Sequence, residues 1–340
     1  MGLFGNRKKK AKIEALAEGF VTTGLWQDPA LSAGAQAVGD GYLQAGLALL
    51  RECRYDHELR VSRVGTLGDA AIGRSGEVFD LLADGMPAED AADILVWLGS
   101  TLVSEAWEIR GGGYSDTVGE DRYKLFFASL GAAEEPLLEA AKLRPDDPTP
   151  WHEMLAYGMG MQLDRDRQDR IWANVAQRAR FLIDANWRRL QVLCEKWYGS
   201  HAEMFAFARE TVALAPNGHP VPYLLPMAHY EYVQRVYDDL VEHQDKTWEY
   251  VKFQEEHWSE AAVAELRAAA AKWCTAAPGP HPDDLAAHHY FGWCFYEAGA
   301  HDAARWHLEQ VGNHLVAKPW GYRQSARHEF ATALVDLKMA

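Results

Sequence analysis

The chain has 340 residues, with 34 Lys and Arg against 49 Asp and Glu, for a formal net charge of −15. Hydrophobic residues make up 48% and charged residues 24%, which is globular usage and excludes general disorder. Among them, 13 Trp, 14 Tyr and 12 Phe supply an unusually large aromatic payload for a core or a binding surface.

The charge is unevenly placed. Residues 1–12 hold Arg7, Lys8, Lys9, Lys10 and Lys12 and no acid, which leaves 29 bases against 49 acids, or −20, on the remainder. A body this acidic repels a phosphate backbone, so no nucleic-acid partner is expected. The basic segment is expected to be partly disordered over 1–20, either solvated or in weak peripheral contact with an acidic membrane surface. It leads into Ile13-Glu14-Ala15-Leu16 rather than an apolar stretch, so it does not read as a secretory signal. No run of about 18 apolar residues exists, and no transmembrane segment is expected. Cys53, Cys194, Cys274 and Cys294 show no CxxC spacing, which fits a reducing cytoplasm.

Along the chain, Gly24 to Pro29 reads as a loop, and Gly34–Cys53 as one helix with Leu43, Leu47 and Leu50 inward. Pro87 opens a helix whose stripe is Ile94, Leu95, Leu98, Leu102 and Ala106. Arg110–Glu120 is aperiodic and is expected to protrude as a loop. Leu143 to Pro148 is a break, with Asp147 or Thr149 as the next helix cap, and another break is expected near Asp184-Ala185-Asn186. Helical stripes recur at Leu190, Leu193, Cys194, Trp197 and Tyr198, at Met204 to Ala215, and at Val233, Val236, Tyr237, Leu240 and Val241. Glu260–Lys272 is Ala-rich and strongly helix-forming. Period-2 alternation is nearly absent. The expected fold class is all-α.

Pro145, Pro216 and Pro278 stand 71 and 62 residues apart, close to twice the roughly 34-residue period of helix–turn–helix repeats. Near the end of the chain, Phe291-Gly292, Phe295, Gly299, Ala304 and Leu308 form a local pattern. Gly292 and Ala304 let two helices approach, the large residues fill the groove, and Gly299 makes the turn. This spacing resembles the tetratricopeptide pattern, with degenerate copies at Leu190–Ala215 and after Pro148 at Trp151, Met154 and Leu155. The segment Lys196–Arg209, Ala106-Trp107-Glu108 with Arg110-Gly111-Gly112, and Pro145–Trp151 also resemble an uncharacterised family of actinobacterial helical-repeat proteins. The resemblances imply an α-solenoid of antiparallel helix pairs over 141–340, continuous with an N-terminal helical region over 21–140. They imply no activity.

Several constellations bear on chemistry. Gly111–Gly113 could cradle a phosphate, but it follows a helix and lacks the Lys-Ser/Thr of a P-loop, so it reads as a connector. Asp238, Asp239 and Glu242 resemble the acidic motif by which class I isoprenoid synthases hold magnesium and a diphosphate. The second motif of that family is missing, and a solvated acidic helix face is the plainer reading. No HExxH is present, and the adjacent His288 and His289 point about 100° apart on a helix, so they do not share one metal. Asp164–Asp169 reads as a charged turn rather than a calcium loop. No G-x-S-x-G elbow exists, and Cys194 sits in an apolar stripe. Most Trp are expected in the core.

If tetratricopeptide geometry holds, the first helix of each repeat lines a concave face, which would present His152, Arg189, Lys196, His201, His289, Trp293 and Tyr296. The resulting expectation is a cytoplasmic, non-enzymatic scaffold that holds a protein or peptide partner on this face, without a cofactor. A magnesium-dependent enzyme acting on a diphosphate through Asp238, Asp239 and Glu242 is the alternative.

Overall fold

Helical spacing and strong N-terminal caps dictate the elements seen. The computed structural model describes residues 2–22, 28–111, 119–197, 199–275, 281–322 and 325–340. The first helices are α1 Gly2–Glu18, α2 Pro29–Gly39, α3 Leu43–Glu52, α4 His57–Ala70, α5 Ser75–Phe79 and α6 Ala88–Arg110. Next come α7 Glu120–Gly131, α8 Glu134–Leu143, α9 Thr149–Gly160, α10 Arg165–Ala179, α11 Ile183–Val192, α12 His201–Leu214 and α13 Leu224–Tyr237. The last are α14 Thr247–His257, α15 Glu260–Cys274, α16 Asp284–Glu297, α17 His301–Val311, α18 Ala317–Trp320 and α19 Ala326–Asp336. The described residues hold no strand beyond an isolated bridge between Val21 and His314. The fold is all-α, as the periodicity requires.

Caps and breaks follow local chemistry. Asp164, Ser200 and Ser259 accept backbone N–H groups of the first turns of α10, α12 and α15. Neither Asp147 nor Thr149 caps α9: Pro148 holds the cap position without a side-chain bond, and Asp147 Oδ1 accepts the Thr149 N–H at 2.9 Å in the turn before it. The stretch 34–53 is two helices rather than one, because Gly41 takes a φ of 96° between α2 and α3. The stripe from Leu190 to Trp197 also breaks: α11 stops at Val192, and a 3₁₀ turn covers Glu195–Trp197. Segment 2–18, expected to be partly disordered, is helical as α1. Gly112 and Gly113, Trp26, Tyr198 and Pro278 to Pro280 lie outside the described residues.

The chain divides into two compact units, Leu25–Val192 and Met1–Gly24 with Leu193–Ala340, a division that does not follow the sequence boundary at 140/141. In the first unit the long α6 packs against α3, α4, α7, α8 and α9, with Trp97 wholly buried and its Nε1–H donating to the Leu67 carbonyl at 2.9 Å. Beside it lies an ionic cluster. Arg60, fully buried, reaches Asp93 and Asp147 at 2.8 Å each, while Arg54 reaches Asp93 at 2.6 Å and Arg144 reaches Asp147 at 3.3 Å. Desolvation alone would lower the Arg60 pKa, but the charges of Asp147 and Asp93 outweigh it and raise the value.

In the second unit α16 is the central helix, packed by α13, α15, α17 and α18, while α1 rests on α19. The α16–α17 pair matches its sequence reading closely. A Cβ on Gly292 would lie 2.4 Å from Leu308 Cδ2, so the helices touch where a side chain would hold them apart. Phe291, Phe295, Ala304 and Leu308 are buried around that contact, and Gly299 makes the turn.

Candidate functional site

The residues expected on a concave face separate by burial. His152, Arg189, His289 and Trp293 are buried. They are core residues and do not line an open face.

His152 is held between two carboxylates, Nδ1 at 3.0 Å from Glu153 and Nε2 at 2.5 Å from Asp184. A ring with both nitrogens facing carboxylates must donate from both, so the imidazolium form is favoured. Burial and the Arg188 charge lower the His152 pKa, but Asp184 and Glu153 outweigh them and raise it. No lone pair remains for a metal or a base. Arg189 reaches Asp169 at 2.5 Å.

His289 is a neutral clamp. Its Nδ1 accepts from Trp320 Nε1 at 2.9 Å and its Nε2–H donates to the His314 carbonyl at 3.0 Å. Trp293 meets Tyr230 edge-on at 5.3 Å. Tyr296 donates to Asp336 at 3.1 Å. Lys196 and His201 are more open, but each has a carboxylate partner, Glu231 at 2.6 Å and Glu195 at 2.8 Å.

The acidic stretch sits on a π-helical turn, Asp238–Glu242, that continues α13. Asp238 accepts from the Tyr322 hydroxyl, Asp239 pairs with Arg235 at 3.2 Å, and Glu242 is exposed. Among the described residues these three carboxylates do not bring ligand atoms within 4.8 Å of one another.

A recess that the sequence reading missed lies elsewhere in this unit. It is a groove of about 430 Å3 walled by Arg267, Ala270, Ala271 and Cys274 of α15 and by Asp302, Ala303, Trp306 and His307 of α17, with Phe295 of α16 between them. Alanines leave the space, and Trp306 stands beside it 45% exposed. At the mouth, Arg267 Nη2 donates to both Asp302 oxygens at 2.8 and 3.0 Å, and its guanidinium lies 5.7 Å from the Phe295 ring centre. Phe291 and Phe295 stack on His307 at 5.0 and 5.7 Å with interplanar angles of 18° and 25°.

Behind the wall, His307 Nδ1 faces His288 Nδ1 at 2.9 Å. Two nitrogens at that distance need one proton between them, so one ring carries Nδ1–H and the other accepts. Burial holds both rings neutral, pushing His288 down to about 4 and His307 well below 6.5. Burial, reinforced by the Asp284 charge, pushes the Cys274 thiol up to about 12, which keeps it protonated. The groove thus has an apolar interior, uncharged Cys and His walls, and one ion pair at its mouth. That composition suits holding an apolar group and provides no ionised nucleophile.

The signal for this groove was present as the alanine run Ala268–Ala271, which on its own says only that a helix forms. The residues facing it come from α17, and no periodicity links the two helices. His288 and His289 do point apart, one to His307 and the other to Trp320.

Compared with protein-family models and with curated proteins, the chain matches none.

Proposed function

We propose that the chain is a non-enzymatic binding module that receives an apolar or aromatic side chain of a protein or peptide partner in the groove between α15 and α17. The observation that carries this reading is Trp306, a large aromatic left 45% exposed at the edge of an alanine-lined recess. Exposed aromatics beside a pocket are the residue type that dominates binding energy at protein interfaces. The volume of about 430 Å3 falls inside the ~300–1,000 Å3 range of ligand sites. The neutral Cys274 and His307 walls support binding over covalent chemistry. The resemblance to tetratricopeptide-like arrays supports a peptide or protein as the ligand class, with the α15–α17 groove in place of the face expected from sequence.

Affinity capture from native cell extract tests it, comparing wild type with Trp306→Ala, which removes the anchor, and Ala303→Trp, which fills the recess. A partner held by wild type should weaken by about thirtyfold or more with either variant, the scale of an interface hot spot. Equal retention by both folded variants would move the contact off this groove.

A further inference from the structure

His307 has a polar edge that the fold does not use. The ring is buried and lines the α15–α17 groove, and among the described residues its one hydrogen bond is the 2.9 Å contact of Nδ1 with His288 Nδ1. Phe291 and Phe295 lie nearly parallel to the ring, so they cover its face and not its in-plane nitrogens. With Nδ1 turned to His288 behind the wall, Nε2, on the other edge of the imidazole, is the nitrogen left toward the groove. The proton shared with His288 decides what Nε2 offers. Where His288 carries Nδ1–H, His307 accepts there and holds its own proton on Nε2, which becomes a donor. Where His307 carries Nδ1–H, its Nε2 is bare and accepts. Burial keeps both rings neutral, so the pair exchanges these two forms without a change of charge. A hydroxyl meets either form because it both donates and accepts, whereas an indole N–H meets only the second and a carbonyl only the first.

We propose that the groove selects a tyrosine side chain of the partner, with the phenol hydroxyl on His307 Nε2 and the ring against Phe295 and Trp306. This selection rests on the reading of the groove as a binding site for a protein or peptide. The phenol ring suits the aromatic wall, where offset or edge-on packing adds to burial. A phenylalanine in the same place strips Nε2 of water and gives it no partner, so the lost hydrogen bond counts against the side chain without the hydroxyl. Arg267 and Asp302 neutralise each other at the mouth, which favours a neutral phenol over a charged side chain. His307 is then a specificity residue, and His288 sets its tautomer.

The test titrates the full chain with the N-acetyl amides of tyrosine, phenylalanine and tryptophan, followed by nuclear magnetic resonance. The tyrosine amide should bind about tenfold more tightly than the phenylalanine amide, the scale of one buried hydrogen bond. Ala303→Trp should abolish binding of both, which places them in the groove. In His307→Phe the tyrosine amide should lose its advantage while the phenylalanine amide keeps its affinity, with circular dichroism checking the fold. Wild type supplies a readout that needs no variant: the His307 Nε2 nitrogen resonance should move with the tyrosine amide and stay in place with the phenylalanine amide. Equal affinities or equal shifts for these two overturn the tyrosine assignment and leave the groove reading standing. A tryptophan amide bound as tightly as the tyrosine amide also overturns it and fixes Nε2 as an acceptor. Binding of none of the three, or binding that survives Ala303→Trp, overturns both the assignment and the groove reading.

Discussion

Arg60 and His152 are buried basic groups whose carboxylate partners decide their cost. Taking an arginine out of water is expensive unless carboxylates compensate, and Asp93 and Asp147 do so for Arg60. Asp93→Ala should therefore destabilise the unit by about 3–5 kcal/mol, because it leaves the buried Arg60 with Asp147 alone and removes one of the carboxylates around Arg54, which keeps Asp90 and Glu89. Chemical denaturation read by tryptophan fluorescence measures this, and a loss below about 1 kcal/mol would contradict it. The same logic applies to Arg189, a buried base with a carboxylate partner. Arg189→Glu would set a buried carboxylate against Asp169, so the substitution perturbs the core as well as any surface. Sequence named these residues as basic, and burial was the part it lacked, since a partner such as Asp184 or Asp169 becomes a neighbour only after folding.

The α16–α17 pair was legible in sequence and the α15–α17 groove was not, for the same physical reason. Gly292, Gly299, Ala304 and Leu308 act within one hairpin, so their spacing along the chain translates directly into helix approach. Gly292→Val should force that pair apart against Leu308 and cost about 1–3 kcal/mol, as overpacking of a close contact does. Thermal unfolding checks it, and an unchanged Tm would mean that the helices have slack there. The groove instead depends on Arg267 meeting Asp302, 35 residues later, and on which alanines α15 turns toward Trp306. No single helix's pattern encodes that. The missed breaks at Gly41 and after Val192 have a third origin: apolar periodicity persisted across them, and backbone turns cut it.

For the whole molecule, the buried histidines of the two units are shifted in opposite directions. Burial lowers His229 and His289 to about 3 and His257 and His288 to about 4, and it depresses His307 as well, all in the unit built from 1–24 and 193–340. An unfolded histidine takes a proton below about 6.5 and these folded ones do not, so this unit loses stability as pH falls from 6.5 toward 4. His152 in the 25–192 unit is raised, so its contribution is fully present below 6.5 and is lost only as pH rises through its folded value. Hydrogen exchange at pH 7.5 and pH 5, corrected for intrinsic rates, should show protection falling in α13, α16 and α17 but not in α9. Equal losses in both units would refute the assignment.

The pairing of α1 with α19 also sets an order in time. The Arg327 side chain that caps Ala17 lies 310 residues downstream of it. At synthesis rates of ~5–20 residues per second, α1 emerges from the ribosome roughly 15–60 s before its partner exists. Residues 25–192 complete their own core partway through that interval, while Ile13 and Phe20 still wait for theirs. During translation, then, α1 is made long before it can be buried.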